Sequence, residues 1–178
     1  MKISKKNESK SNYVWGLLRI SLGLTFLWAF VDKLFGLGFS TCRDESGLVT
    51  VACEKAVISG GSATMGFLKF ATTGPLSDFY KSMAGNWAID LLFMSALLGL
   101  GIALTFGIGM RIATFSGVAL MLMMWSAALL PENNPVLDEH IIYSIALVGL
   151  LLVNDSQRLG LGSWWSKTQL VKKTPFLT

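Results

Sequence analysis

Apolar residues gather along the chain into four segments that are separated by polar stretches. The four segments cover residues 13–35, 87–106, 112–130 and 135–155. A helix needs about 20 mainly apolar residues to cross the hydrocarbon layer of a bilayer, because unpaired backbone groups cannot face lipid. The pattern therefore predicts an all-α membrane protein, a bundle of four transmembrane helices.

The fourth segment depends on a signal at its start. Its uninterrupted apolar core covers only residues 141–153, which is short for a membrane span. Asn134 and Pro135 precede this core in the order typical of a helix N-cap and first helical position, where the missing N–H of proline is not needed. We therefore expect the helix to cover residues 135–155, followed by a tail over residues 156–178.

A long loop, residues 36–86, lies between the first and second spans and exceeds the usual connection between helices. Within it, residues 75–84 repeat apolar side chains at helical spacing, with Pro75 at the start and Gly85 after the end. This pattern predicts a short amphipathic helix that lies in the membrane interface over the ends of the spans.

Composition and charge support a membrane location and suggest an orientation. Of the 178 residues, 52% are hydrophobic and 15% are charged, whereas about a quarter are charged in a soluble domain. Basic residues dominate both ends of the chain and the short connector at residues 107–111, which predicts cytoplasmic termini and an extracytoplasmic loop at residues 36–86. We expect the cell (inner, cytoplasmic) membrane. The net charge of +4 needs no nucleic-acid partner, because basic tails beside a bilayer meet anionic lipid.

The only two cysteines, Cys42 and Cys53, both lie in the predicted outer loop, where thiols tend to be oxidised. A structural disulfide is our first interpretation. A redox-active pair is the second, although the spacing is not Cys-x-x-Cys. A metal site fits least well, since one histidine cannot complete the usual Cys and His ligand set. We expect no bound metal.

Charged residues within membrane spans are costly, so each needs a partner or a purpose. Near the cytoplasmic side, Arg19 in the first helix is expected at the depth of Arg111 and Asp155. An ion pair between Arg19 and Asp155 is the simplest interpretation. We expect this inner polar layer to be structural.

A second polar layer is expected at the outer ends of the spans. Lys33 ends the first helix, Asp90 begins the second and His140 lies near the start of the fourth, so these candidate catalytic residues are expected to meet. One interpretation is structural, with Lys33 paired to Asp90. The other is a polar pocket in which His140 moves protons and Lys33 holds an anion. The candidate binding residues of this layer are Asp32, Asn133, Asn134, Asp138, Glu139, Tyr143, Trp28 and Trp125.

Several runs of the sequence resemble the DoxX/DoxD family of membrane proteins. The first helix is similar to that of the family in three runs: LRISLG (18–23), FLWA (26–29) and DKLFG (32–36). Three further runs resemble the DoxD branch: GGSATMGFLKFATTGP (60–75), LLGLGIALTFGIGMR (97–111) and PENNPVLDEHIIY (131–143). The resemblance covers nearly the whole chain.

The resemblance implies a relative of the large subunit of thiosulfate:quinone oxidoreductase, which couples oxidation of thiosulfate to tetrathionate with reduction of a membrane quinone. It also implies a second membrane or extracytoplasmic subunit as partner. The sequence shows no flavin, haem or iron–sulfur motif. The leading hypothesis is a quinone-linked oxidoreductase subunit with an outward-facing site. The alternative is a non-catalytic scaffold or accessory subunit of a larger respiratory or oxidative-stress complex. A transporter fits less well, since inverted repeats and broken spans are missing.

Overall fold

The computed structural model describes residues 5–131, 134, 136–153 and 159–177, with the side chains of residues 5–9 and 175 left aside. This part of the chain is helical and contains no strand. Three helices are long and apolar enough to cross a membrane: the part Lys10–Phe35 of the first helix, Trp87–Phe106 and Met110–Ala127. The helices in chain order are α1 (Lys5–Phe35), α2 (Ser77–Ser82), α3 (Trp87–Phe106), α4 (Met110–Ala127), α5 (Glu139–Leu152), α6 (Gly162–Trp165) and α7 (Gln169–Lys173).

The long helices pack in sequence, α1 against α3, α3 against α4, and α4 against α5. The contact between α1 and α3 is close because glycines lie at the crossing. A Cβ atom added to Gly23 would lie 2.5 Å from the backbone nitrogen of Thr105, and one added to Gly101 would lie 2.5 Å from Cγ of Leu27. Leucine side chains fill the shared core, among them the fully buried Leu104.

The helix α4 occupies Met110–Ala127 and is therefore displaced from the predicted range of 112–130. It begins directly after Gly109, which has a φ of +60° and ends the short connector from α3. It ends at Ala127, and the chain turns away at Leu130, which has a φ of +64°. The positive φ angles on both sides explain the shift, because a right-handed helix cannot continue through them.

The helix α5 begins at Glu139, so the predicted range of 135–155 overstates its extent at the N-terminal end. The N-cap is Asp138, whose carboxylate accepts hydrogen bonds from the backbone N–H groups of His140 at 3.0 Å and Ile141 at 3.2 Å. A carboxylate in this position satisfies two donors of the first turn, so the helix starts here. The predicted first residue, Pro135, lies outside the described residues.

The loop between α1 and α3 is attached to the end of α4. The helix α2 covers Ser77–Ser82 only, which is shorter than the predicted range of 75–84. The hydroxyl groups of Tyr80 and Ser126 lie 2.5 Å apart. The backbone N–H of Thr73 donates to the carbonyl of Ala127 at 3.0 Å. These contacts hold the loop against the loop-facing end of α4.

Candidate functional site

A cavity of about 840 Å³ lies between the helices at the end from which the loop extends. We call it the loop-end cavity. Side chains of α1, α3, α4, α5 and the loop all contribute to its lining. The apolar part of the lining includes Phe26, Phe93, Leu97, Met121 and Met124, and the polar part includes Lys33, Ser40, Thr41, Lys55, Ser62, Glu139, His140 and Tyr143.

Lys33 approaches the cavity from the last turn of α1. Its Nζ lies 5.8 Å from the centre of the Phe93 ring, within the range of a cation–π interaction. Among the described residues, no carboxylate oxygen lies within 4.0 Å of this nitrogen. The expected ion pair between Lys33 and Asp90 is therefore not formed. The ammonium group instead faces the cavity between aromatic and polar side chains.

His140 approaches from the first turn of α5 and is oriented by Asp138. Its Nδ1 lies 2.7 Å from Oδ2 of Asp138, and the two side chains are only 12% and 9% exposed. The Asp138 carboxylate also accepts hydrogen bonds from the backbone N–H groups of His140 and Ile141. An ionised carboxylate can only accept hydrogen bonds, so Nδ1 of His140 donates to Asp138. Nε2 is then the ring nitrogen that can exchange a proton with a ligand in the cavity.

Asp90 lies behind the wall of the cavity and binds the loop. Its Oδ1 accepts hydrogen bonds from the Ser62 hydroxyl at 2.9 Å, the Thr64 backbone N–H at 2.8 Å and the Thr64 hydroxyl at 2.7 Å. The prediction that three residues meet is therefore corrected. Lys33 and His140 line one cavity, whereas Asp90 holds the loop segment that closes it.

Asp32 has a comparable role at the end of α1. Its side chain is 1% exposed. The carboxylate accepts hydrogen bonds at 2.9 Å from the backbone N–H groups of Phe39 and Ser40 and from the Ser40 hydroxyl. Ser40 lines the cavity, so Asp32 shapes the wall of the cavity and contributes no group to the interior. It was expected among the binding residues.

The two predicted tryptophans do not line the cavity. Trp28 is 45% exposed and packs edge-on against Phe39, with 5.1 Å between ring centres. Trp125 donates a hydrogen bond from Nε1 to the carbonyl of Val136 at 2.9 Å. Both rings therefore support the loop segments on either side of the cavity, because those segments offer nearby partners for a ring face and an indole N–H.

Asn134, which precedes α5, does not line the cavity. Asn134 is exposed, and its Oδ1 accepts hydrogen bonds at 2.9 Å from the N–H groups of Val136 and Leu137. It thus closes a turn ahead of the helix, which is a common role of asparagine. Asn133 lies outside the described residues.

Cys42 and Cys53 are joined in a disulfide with 5.7 Å between their Cα atoms. Thr41 and Glu54, the neighbours of the two half-cystines, both line the cavity. The bridge therefore holds together two parts of the cavity wall. Because both thiols are bonded, neither is available as a metal ligand, and the described residues contain no cluster of three His, Cys, Asp or Glu side chains that could hold a metal ion.

Arg19 lies at the opposite end of the helices and is fully buried. Its Nη1 donates to the carbonyl oxygens of Leu104 and Thr105, and Nη2 donates to that of Leu159 at 3.1 Å. The guanidinium therefore caps the C-terminal end of α3, where carbonyl groups lack helical partners and carry partial negative charge. The expected partner Asp155 lies outside the described residues. Arg111, assigned to the same layer, is exposed.

The loop residues that complete the cavity were missed in the sequence. Ser62 and Phe67 are the clearest cases. A signal was available, because Ser62 and Thr64 are hydrogen-bonding residues directly before an apolar run, a pattern typical of a helix start. The run forms a π-helical turn at Phe67–Ala71, a geometry that often occurs at functional sites.

Comparisons with known proteins add no assignment to this geometry. No protein-family model, curated protein or solved structure matches the chain. The resemblance to the DoxX/DoxD family therefore rests on the sequence runs alone. Any function must be argued from the cavity and the residues that line it.

Proposed function

We propose that the protein is a subunit of a quinone-linked redox system and that its loop-end cavity binds the head group of a quinone. The observation that carries this proposal is the mixed lining of the cavity, with Lys33, His140 and Tyr143 beside Phe93 and Met124. A quinone head is a flat ring with two carbonyl oxygens, so it needs apolar faces and hydrogen-bond donors at its edges. The volume of about 840 Å³ lies within the usual range of small-molecule sites.

The same proposal includes a four-helix membrane bundle. The helix α5 has 14 residues and is about 21 Å long at the usual rise per residue, which is less than the hydrocarbon layer. Its apolar composition and its packing against α4 support the fourth span proposed at residues 135–155. We place both termini in the cytoplasm on the basis of the basic residues.

The orientation can be tested with a membrane-impermeant thiol reagent. After mild reduction of intact cells, we expect Cys42 and Cys53 to be labelled. Labelling only after lysis would contradict the proposed orientation.

In the proposed reaction, two thiosulfate ions give one tetrathionate ion and two electrons, and the quinone takes up these electrons with two protons. Lys33 donates a hydrogen bond to a ring oxygen and stabilises the negative charge that develops there. His140 supplies a proton from Nε2, while the Asp138 carboxylate stabilises the protonated imidazole. Thiosulfate releases no protons, so these protons must come from the protein and the solvent.

Quinone binding to the purified protein in lipid nanodiscs tests the proposal. We expect His140→Gln and Lys33→Met to remain folded and inserted, and to bind quinone about tenfold more weakly, since each loses one charge-assisted hydrogen bond. Lys81→Met is the control, because Lys81 is exposed on α2 and does not line the cavity. Normal quinone binding by both cavity variants would refute the proposed site.

A non-catalytic membrane subunit is the alternative, and one feature favours it. A groove of about 530 Å³ runs between α3 and α4 at the end away from the loop, and Ser95, Gly99 and Gly109 line it. A Cβ atom added to Gly99 would contact nothing within 4 Å. Small residues of this kind allow a partner helix to approach closely. If Gly99→Leu abolishes co-purification of another membrane subunit and wild-type protein binds no quinone, the accessory role is favoured.

A further inference from the structure

A second hollow lies between the loop-end halves of α3 and α4. It has a volume of about 280 Å³ and an almost wholly apolar lining. We call it the α3–α4 groove. Leu92 and Met123 line it and are 65% and 50% exposed, respectively. Because α3 and α4 have the length and composition of membrane spans, side chains exposed on them face hydrocarbon. The groove therefore opens to the interior of the bilayer.

The groove and the loop-end cavity share a wall. Phe67, Phe93 and Met124 line both spaces. The ammonium nitrogen of Lys33 also lies 5.8 Å from the centre of the Phe93 ring. The polar cavity and the apolar groove are thus separated by single side chains. Met124 is unbranched and adapts its rotamer easily, so a small rearrangement of this wall joins the two spaces.

We infer that the α3–α4 groove receives the isoprenoid tail of the quinone whose head group occupies the loop-end cavity. This inference rests on the proposed function. A quinone tail must leave the cavity through apolar surroundings, because the alternative is to expose hydrocarbon to water or to unpaired polar groups. The groove supplies such a path, from Phe93 beside Lys33 to Ala119 near the middle of α4.

The groove discriminates between quinones by the space it offers to the tail, and not by hydrophobic free energy. Lipid chains are as apolar as the leucine and methionine side chains of the groove, so a tail gains no hydrophobic free energy when it moves from lipid into the groove. Tail-bearing and tail-less quinones should therefore bind wild-type protein with similar affinity from lipid. A bulky residue in the groove, in contrast, should exclude only the quinone that carries a tail.

Two quinones with the same ring, one without a tail and one with a short isoprenoid tail, provide the test in nanodiscs. Ala119→Phe fills the groove from α4. We expect it to weaken binding of the tail-bearing quinone about tenfold, the usual scale of overpacking, and to leave binding of the tail-less quinone unchanged. The matched control is Ala88→Phe, at an exposed position on α3 outside the groove, and it should change neither affinity.

The possible failures are distinguishable. If wild-type protein binds neither quinone, the proposed function is overturned and this inference with it. If both quinones bind and Ala119→Phe affects both equally or neither, the tail path is overturned while the head-group site stands. A photoreactive group on the tail should label peptides of α3 and α4, and labelling of α1 and α5 would overturn the path. Labelling of the groove by a photoreactive phospholipid at saturating quinone would identify an acyl chain as the occupant and also overturn the inference.

Discussion

Replacing Arg19 with methionine should strongly destabilise the protein, because this side chain joins three parts of the backbone. The Arg19 side chain extends from α1. Its guanidinium donates hydrogen bonds to two carbonyl groups at the end of α3 and to the carbonyl group of Leu159. The site leaves little room for adjustment. A Cβ atom added to Gly107, which follows α3, would lie 2.9 Å from the guanidinium, and one added to Gly160 would lie 2.8 Å from it.

The expected magnitude follows from the acceptors that the substitution leaves without a partner. Each buried carbonyl that loses its donor costs about 1–3 kcal/mol, and three are affected. Removal of the cation also removes the cost of its burial, which offsets part of this loss. We therefore expect a loss of about 3 kcal/mol in the free energy of unfolding. For a chain of 178 residues, this corresponds to a fall in Tm of about 6–12 °C.

Thermal unfolding followed by circular dichroism in mild detergent measures this change. Lys10→Met is the matched control, because Lys10 lies on the same helix, is exposed and carries the same charge. Arg19→Lys should give an intermediate Tm, since a single ammonium cannot reach carbonyl groups on both α3 and the segment at Leu159. If Arg19→Met were as stable as Lys10→Met, the guanidinium would have no capping role and the reasoning would fail.

Three further predictions concern the loop end of the molecule. Replacing Cys42 and Cys53 together with serine should lower stability by about 2–3 kcal/mol through loop-closure entropy and should leave quinone binding intact; loss of binding in a folded variant would favour a redox-active pair. Asp138→Ala should cost about 1 kcal/mol at neutral pH through loss of the helix cap. Thermal unfolding measures this loss, and a Tm equal to that of wild type would contradict the capping role. Asp90→Ala should release the loop that it binds and speed proteolysis near residues 60–61, whereas Asp78→Ala, at an exposed position on α2, should not.

The sequence predicted α3 at its observed bounds, Trp87–Phe106, because α3 is a long apolar run with a clear boundary at each end. In contrast, α1 begins at Lys5, before its predicted start at residue 13, and α4 lies two to three residues before its predicted range. The end of α3 at Phe106 agrees with the pattern, since Gly107 follows with a φ of +71°. The start of the fourth helix was wrong because two capping signals compete there. Asn134 and Asp138 each accept hydrogen bonds from the backbone that follows, and only the second leads into the helix. Sequence spacing alone cannot tell a turn from a cap when both use the same side-chain chemistry.

The candidate site could be predicted only in part, for a physical reason. Depth along the helices correctly placed Lys33 and His140 at one end, because the rise per residue is fixed. Depth does not show which partner a carboxylate finds. Asp32 and Asp90 bind N–H groups of the nearby loop. The wall formed by the loop depends on contacts far apart in the chain, and these have no local signal.

Lys33 is a charged residue within a span, and packing alone does not explain its presence. An ionisable group inside a membrane span is costly, and it persists where a structural contact or a function offsets that cost. In the described part of the chain, Arg19 caps α3, Asp32 binds the turn after α1, and Asp90 binds the loop. Lys33 makes no ion pair there, and its ammonium faces a cavity that His140 also lines. A leucine would fit the neighbouring Phe93 at lower cost, so under the proposed function the ammonium group is retained to bind the ligand that enters the cavity. Variants at Lys33 should therefore affect ligand binding far more than stability, and the reverse result would make this residue structural.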